Sequence, residues 1–229
     1  MSAHSNWPAD TAIGFLGALN PKQSESFRAC AVPRRFRKGH VIFHEGGVSD
    51  RVVALTSGRV KVSTTTDEGK EIVLAFRGVG DLLGELSAID GSPRSATVEA
   101  IEPVEALALA TADFRAFLLE HPEIALMLLQ TLSRRLRDSD RKRVEYGAHD
   151  TVGRVAARLL ELARDYGEPD ARGIRINLPL SQEELAGWIG SSREAVSKAL
   201  QTLRGAGWVM TERRRLTVCD PEALRRRSA

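Results

Sequence analysis

The apolar positions of this 229-residue chain change their spacing twice. Between Val32 and Ala110 they come in short runs: Val41-Ile42-Phe43, Val52 to Leu55, Val60-Lys61-Val62, Ile72 to Phe76, Ala96-Thr97-Val98 and Val104 to Ala110. Gly39, Gly46-Gly47, Gly58, Asp67-Glu68-Gly69, Gly78, Gly80 and Gly91 separate them. Strands of this length, with turn residues about every ten positions, predict a β-sandwich or small barrel over 32–110. Ahead of it, Ala12 to Leu19 carries a short helical pattern. Asn20-Pro21 then supplies an N-cap and a first-turn proline for a helix over Lys22 to Ala31. Behind the β region, Thr111 is the expected N-cap of a helix to His121 in which Phe114, Phe117 and Leu118 share a face.

Pro122 to Tyr146 then runs without a glycine, with proline only in the first turn, where a helix tolerates it. At about 1.5 Å per residue such a helix is roughly 37 Å long. Leu129, Leu132 and Leu136 recur at the 3-then-4 spacing of a two-stranded coiled-coil seam. The next seam positions are Ser139 and Arg143. Either the helix end is solvated there, or something polar sits against the dimer seam at Ser139, because an unpaired buried hydroxyl is costly. Gly147-Ala148-His149-Asp150 breaks the helix, and Asp150 caps a new one, Thr151 to Tyr166, with Val155, Leu159 and Leu162 on its apolar face. Asp165 to Gly173 reads as a loop and Ile174 to Leu178 as a short strand. Ser181 with Glu184 forms a capping box for a helix over Gln182 to Ile189. Gly190 ends it, and Ser191 or Ser192 starts another, to about Arg204. Two short helices across a glycine turn make a helix-turn-helix. A hairpin follows, from Trp208-Val209-Met210 to Leu216-Thr217-Val218, with Arg213, Arg214 and Arg215 at its tip. The class is α+β.

Composition narrows the function. No apolar run approaches the roughly 20 residues that span a bilayer, and the first ten residues do not read as a secretion signal. Two cysteines, Cys30 and Cys219, exclude a disulfide framework and a four-thiolate metal or iron–sulfur site, which fits a reducing cytoplasm. Residues 1–150 carry 19 Lys+Arg against 20 Asp+Glu, and residues 151–229 carry 14 against 10. The positive excess sits in the C-terminal third, as expected for a part that meets a polyanion. That third has neither a nucleophile–base set nor a metal-spaced cluster, which argues against an enzyme. His149 is a lone histidine at the helix break.

Inside the β region, Gly84-Glu85-Leu86-Ser87 is followed by Pro93-Arg94-Ser95-Ala96. Glycine lets backbone approach a ligand closely, and an adjacent turn offers amide N–H groups to an anion. Arg94 is a forked permanent cation suited to phosphate, Ser95 a hydroxyl donor and Glu85 an acceptor for a sugar hydroxyl. An ordinary loop with a Glu85–Arg94 salt bridge accounts for the same residues. Together with Ser57 to Val62 and Glu68 to Glu71 upstream, however, the two segments closely resemble the phosphate-binding cassette and β-roll of cyclic-nucleotide-binding domains. With the long helix and the helix-turn-helix, the likeness extends over nearly the whole chain to transcription regulators of the cyclic-AMP receptor protein (Crp/Fnr) family.

That resemblance implies a β-roll domain with its N-terminal tail over 1–121, a dimerisation helix over 122–147 and a winged helix-turn-helix over 148–229. It implies that Glu85 binds the ribose hydroxyl, that Arg94 and Ser95 bind the cyclic phosphate, and that Gly84 and Leu86 shape the cradle, with Ser87 among the nucleotide-binding residues. Ser139 and Asp140 stand where the family places Thr and Ser against the base. Ser139 keeps the hydroxyl; Asp140 is a departure, able to accept from an adenine amino group or to repel an anionic ligand. The implied ligand is cyclic AMP, with cyclic GMP as the other candidate. The implied assembly is a homodimer on a palindromic double-stranded DNA operator, acting as a cytoplasmic activator that meets RNA polymerase.

The second helix of the pair opens Ser192-Arg193-Glu194-Ala195-Val196-Ser197-Lys198. Recognition helices put their first residues on base edges. Arg pairs with both acceptors of guanine, and Glu accepts from cytosine N4. The pattern again resembles the family and implies base contacts from Arg193, Glu194 and Lys198, with Ser192 and Ser197 beside them. Lysine at 198 replaces the usual Arg and loses its fork, so discrimination there is expected to be looser. Arg213 to Arg215 are expected on phosphates, which position a domain without specifying sequence. Arg225-Arg226-Arg227 is either a further phosphate contact or a loose tail.

Overall fold

Val52 to Leu55 is four apolar residues in a row because its strand is buried on both faces. Val53 and Leu55 point into one hydrophobic cluster, Val52 and Ala54 into another. In the computed structural model this strand is the centre of the N-terminal part. Residues 14–178, 181–212 and 215–228 are described, with backbone alone at 142, 145, 146 and 148. The chain divides into two compact units between Asp140 and Arg141.

In the first unit, helices α1 (Phe15–Ala18) and α2 (Pro21–Cys30) precede strands β1 (Val32–Phe36), β2 (Val41–Phe43), β3 (Arg51–Ser57), β4 (Val60–Thr65), β5 (Glu71–Arg77) and β6 (Leu82–Leu83). Helix α3 (Glu85–Asp90), strands β7 (Thr97–Ala100) and β8 (Val104–Ala110), helix α4 (Thr111–Glu120) and the 27-residue helix α5 (Pro122–Ala148) follow. The strands form two antiparallel four-stranded sheets, ordered β1-β8-β3-β6 and β2-β7-β4-β5. Between the sheets pack Ile42, Phe43, Val53, Leu55, Val60, Val98 and Ala106. On the outer face of the first sheet, Val52, Ala54, Leu107 and Leu109 meet Phe27, Phe114 and Phe117 of the helices, with Ile124 and Leu128 from the start of α5. The opposite side of α5 leaves Leu126, Leu129 and Leu136 exposed.

Asn20 caps α2 as expected, in a capping box completed by Gln23. Three features differ from expectation. Val32 to Phe36 is a strand, although Pro33, Arg34 and Arg35 hide its pattern; it lies at a sheet edge, where proline and charge are tolerated. Thr111 is the first residue of α4, not its cap: its hydroxyl donates instead to the carbonyl of Ser49, at 3.1 Å. The segment after Gly84 is a helical turn and a half rather than a loop.

In the second unit come α6 (Thr151–Tyr166), β9 (Gly167–Asp170), β10 (Gly173–Ile176), α7 (Gln182–Ile189), α8 (Arg193–Gly205), β11 (Val209–Glu212), β12 (Arg215–Val218) and α9 (Pro221–Arg227). The strands form one sheet, ordered β11-β12-β10-β9. The stretch Asp165 to Gly173 is thus not a loop: it completes α6 and continues into the outer arm of a hairpin, Gly167–Asp170, an edge strand that accepts Pro169 opposite Ile174. Leu159, Leu162, Ile189, Leu203 and Leu224 fill the core.

Asp150 caps α6, its carboxylate accepting from the Gly153 amide at 2.9 Å. The triple-arginine segment proves to be the last turn of α9. Asp220 caps that helix, Ala223 and Leu224 bury it, and Arg227 Nη2 donates to the second carboxylate oxygen of Asp150 at 2.5 Å.

Candidate effector site and nucleic-acid interface

The site begins where β6 ends. Gly84 adopts φ +79°, which turns the chain out of the strand and starts α3. A side chain there is excluded on two counts. The left-handed conformation disfavours Cβ, and the added carbon would lie 2.4 Å from Arg94 Nη1 and 3.1 Å from the Phe43 ring. Gly84→Ala is therefore expected to lower stability by about 1–2 kcal/mol from the backbone alone and to push Arg94 off its seat. Thermal melting measures the first effect, and nucleotide titration the second.

Arg94 is 4% exposed. Its Nη1 donates to the Gly84 carbonyl at 3.1 Å and to Ser87 Oγ at 2.9 Å. Its Nη2 donates to the Arg51 carbonyl at 2.5 Å and to Asp50 at 3.2 Å. The guanidinium carbon lies 3.9 Å from the centre of the Phe43 ring, a cation–π contact strengthened by the dry surroundings. Nε is buried without a protein partner. The Arg94 backbone is pinned as well: its N–H bonds the Gly47 carbonyl and its C=O takes the Gly46 amide. Burial lowers the guanidinium pKa from its ordinary value, and the bond to Asp50 opposes that shift. A fixed, dehydrated cation under a helix N-terminus is an arrangement suited to an anion.

Glu85, at the first position of α3, is also buried. Its partner is not Arg94. Arg135 of α5 donates to Glu85 at 2.6 Å and its other nitrogen lies 3.7 Å from Asp81. The Glu85–Arg94 salt bridge that the sequence left open as an alternative is therefore not what forms; the pair that does form joins the cassette to the long helix. Gly84, Glu85, Ser87 and Arg94 are brought together; Leu86 and Ser95 are exposed beside them. Ser139 and Asp140 are exposed on α5, and Ser139 follows Arg135 by four residues, on the same helical face. Asp50, Phe43 and Arg135 were not singled out by sequence. The spacing of Arg135 to Ser139 carried a signal, masked by Arg134 and Arg137 on either side.

In the second unit Ser181 and Glu184 close the capping box, and Gly190 ends α7 at φ +65°. Ser192, not Ser191, caps α8 through the Ala195 amide. Val196, Ala199, Leu200 and Leu203 are buried, which leaves Arg193, Glu194, Ser197 and Lys198 together on the exposed face, with Ser192 before them. Bonds to its own backbone amide and to the Ser192 hydroxyl hold the Glu194 carboxyl below the usual range, so it is anionic near neutral pH. Arg204 ties α8 to the wing through Thr211. β11 and β12 pair antiparallel as the expected hairpin, with Arg215 exposed. Arg213 and Arg214 lie outside the described residues.

Comparison with known proteins agrees with both halves. The cyclic nucleotide-binding domain family matches residues 33–121, and the Crp-like helix-turn-helix domain matches residues 153–227. The chain is 34% identical to a CRP-like cAMP-activated global transcriptional regulator of Mycobacterium tuberculosis, over 94% of this chain and 96% of that protein. It is 36% identical to a global nitrogen regulator of Synechocystis, over 84% and 87%. A CRP-family transcriptional regulator of Thermus thermophilus, known from its crystal structure, superposes with a TM-score of 0.72 at 30% identity, covering 85% of this chain and 96% of that one. A cyclic-nucleotide-binding roll followed by a long helix and a winged helix-turn-helix, matched along nearly the whole length, places the chain in the Crp/Fnr family of transcription regulators.

Proposed function

We propose that the protein is a homodimeric, sequence-specific DNA-binding regulator controlled by a cyclic nucleotide, cyclic AMP before cyclic GMP. The observation that carries this reading is the pair of buried groups at α3. Arg94 offers a fixed cation for a cyclic phosphate, with Ser95 beside it, and Glu85 offers an acceptor for a ribose hydroxyl. Gly84, Leu86 and Ser87 form the surrounding cradle. The exposed Leu126, Leu129 and Leu136 on α5 support pairing with a second copy, the residues 122–147 acting as the dimerisation helix between a sensing part, 1–121, and a reading part, 148–229.

The Glu85–Arg135 pair suggests how occupancy is felt. A ribose hydroxyl donating to Glu85 competes with Arg135 for the same carboxylate, so binding is linked to the position of α5. Ser139 and Asp140, farther along that helix, face the base. A ligand shifts the arrangement of the helices only by its differential affinity for the two states. The readers then present Arg193, Glu194 and Lys198 to base edges, while Ser192, Ser197 and Arg213 to Arg215 contact the backbone, on a palindrome with half-sites about 34 Å apart. Such a regulator works on DNA in the cytoplasm and, as an activator, meets RNA polymerase. No helix among the described residues is long and apolar enough to cross a membrane.

Asp140 favours a second reading, in which the same regulator answers a different effector or none; relatives named as nitrogen regulators are consistent with it. Titration with cyclic AMP and cyclic GMP, by calorimetry and melting, decides between them. Heat and a raised melting temperature with either nucleotide are expected; silence with both sinks the first reading. Selection from a pool of random DNA sites, with and without each nucleotide, then reads the operator and its dependence on the ligand.

A further inference from the structure

Helix α3 is held at both ends by arginines from one helical run. At its N-terminal end, Arg135 of α5 grips Glu85. At its C-terminal end, the last carbonyls need partners that a helix cannot provide for itself. The Gly91 amide takes the Ser87 carbonyl at 3.1 Å. Arg115 of α4 takes the next two, Nε donating to the Ala88 carbonyl at 2.6 Å and Nη2 reaching the Ile89 carbonyl at 3.5 Å. A cation at this end also complements the helix dipole.

The two arginines belong to helices joined without an intervening loop. His121 is the connection: its amide bonds the Phe117 carbonyl, and its own carbonyl accepts from the Ile124 and Ala125 amides. Phe114 and Phe117, flanking Arg115 in sequence, are buried in the same cluster as Ile124 and Leu128 of α5. The α4–α5 run is therefore packed as one piece over this length, and α3 lies between two of its side chains.

We infer that Arg115 is a positioning residue for nucleotide signalling: it fixes the far end of α3 to the α4–α5 run, so that a displacement of α3 is passed to α5. This rests on the nucleotide reading proposed above. When a ribose hydroxyl competes for Glu85, the tie at Arg135 weakens. The tie at Arg115 does not involve the ligand and remains. It supplies the fixed point without which movement of the cassette would be taken up by slack in α3. Arg115 touches neither Glu85 nor Arg94 and is not itself a binding residue.

The test uses the full chain, with Arg115→Gln and Arg115→Lys beside wild type. Cyclic AMP affinity is measured by calorimetry, DNA affinity with and without cyclic AMP by anisotropy, and amide exchange over 85–91 by mass spectrometry. In Arg115→Gln, cyclic AMP affinity stays within about 3-fold, while the gain in DNA affinity on adding cyclic AMP falls by about 10-fold, within the usual range of coupling between sites. Arg115→Lys, which keeps one cationic donor for Ala88, recovers part of that gain. A gain unchanged in Arg115→Gln, or one lost only in proportion to cyclic AMP affinity, overturns the inference. If wild type itself binds no nucleotide, it is the proposed effector that fails. Exchange measured without nucleotide then decides on Arg115: faster exchange confined to 85–91 in Arg115→Gln supports the fixed point, and unchanged exchange removes it.

Discussion

Arg94→Leu is expected to abolish the response to cyclic nucleotide. Removing one member of a buried, hydrogen-bonded charge pair costs roughly 2–5 kcal/mol of binding, or about 30-fold to several thousand-fold in affinity. The loss falls in that range because Arg94 is dehydrated and held before any ligand arrives, so little of its interaction energy goes into ordering the side chain. The same substitution takes a donor from Ser87 Oγ, from the Gly84 and Arg51 carbonyls and from Asp50. The cost is about 1–3 kcal/mol for a buried group left unsatisfied, and it is smaller at Asp50, which is exposed, and at the Gly84 carbonyl, which keeps the Ala88 amide. Affinity must therefore be measured well below the melting temperature of the variant. Arg94→Lys separates the two effects, because an ammonium keeps the charge near Asp50 but cannot reproduce the fork. Calorimetry on both variants, with melting curves beside it, is the check. Wild-type affinity in a folded Arg94→Leu protein would remove Arg94 from the site.

The second large effect is expected on DNA. Arg193→Ala should cost about 1–3 kcal/mol of discrimination at one guanine in each half-site. Arg193 is exposed on the first turn of α8, and the cap that holds this turn comes from Ser192, so the substitution spares the fold. Lys198→Ala should cost less and relax specificity less, since a lysine lacks the bidentate fork. Profiling each variant against a randomised site distinguishes the roles: loss confined to one position marks a base contact, and equal loss on every sequence marks a phosphate contact.

Local signals were legible wherever one residue type has one physical use. Asn20, Asp150, Ser181 and Gly190 mark helix ends by hydrogen bonds made within three or four residues, and each is found at the end it predicts; of the two serines offered for α8, Ser192 is the cap. The long helix α5 was readable for the same reason: a 3-then-4 spacing with no glycine between Pro122 and Tyr146 belongs to one helix, on which Leu129 and Leu136 are exposed. Pairings across distance were not readable. Glu85 and Arg94 are close in sequence and opposite in charge, yet Glu85 bonds a residue 50 positions away and Arg94 one 44 positions away. The order of strands in the roll decides that, and no local pattern records it. β1 and β9 were hidden because edge strands carry the prolines and charges that otherwise mark loops. Thr111 shows the converse error, a capping residue whose hydroxyl was claimed by a neighbouring carbonyl.

The bond between Arg227 and Asp150 means that the last turn of α9 is stitched to the place where α6, the first helix of the second unit, begins. The Gly153 amide first, and then Arg227, hold the Asp150 carboxyl below its ordinary range. Its contribution is thus complete above the usual carboxylate pKa and fades only as acid carries the pH through the lowered value. Removing the Arg227 guanidinium, as in Arg227→Ala, would accordingly loosen the joint 77 positions upstream while leaving the exposed side chains of Arg193, Glu194 and Lys198 untouched.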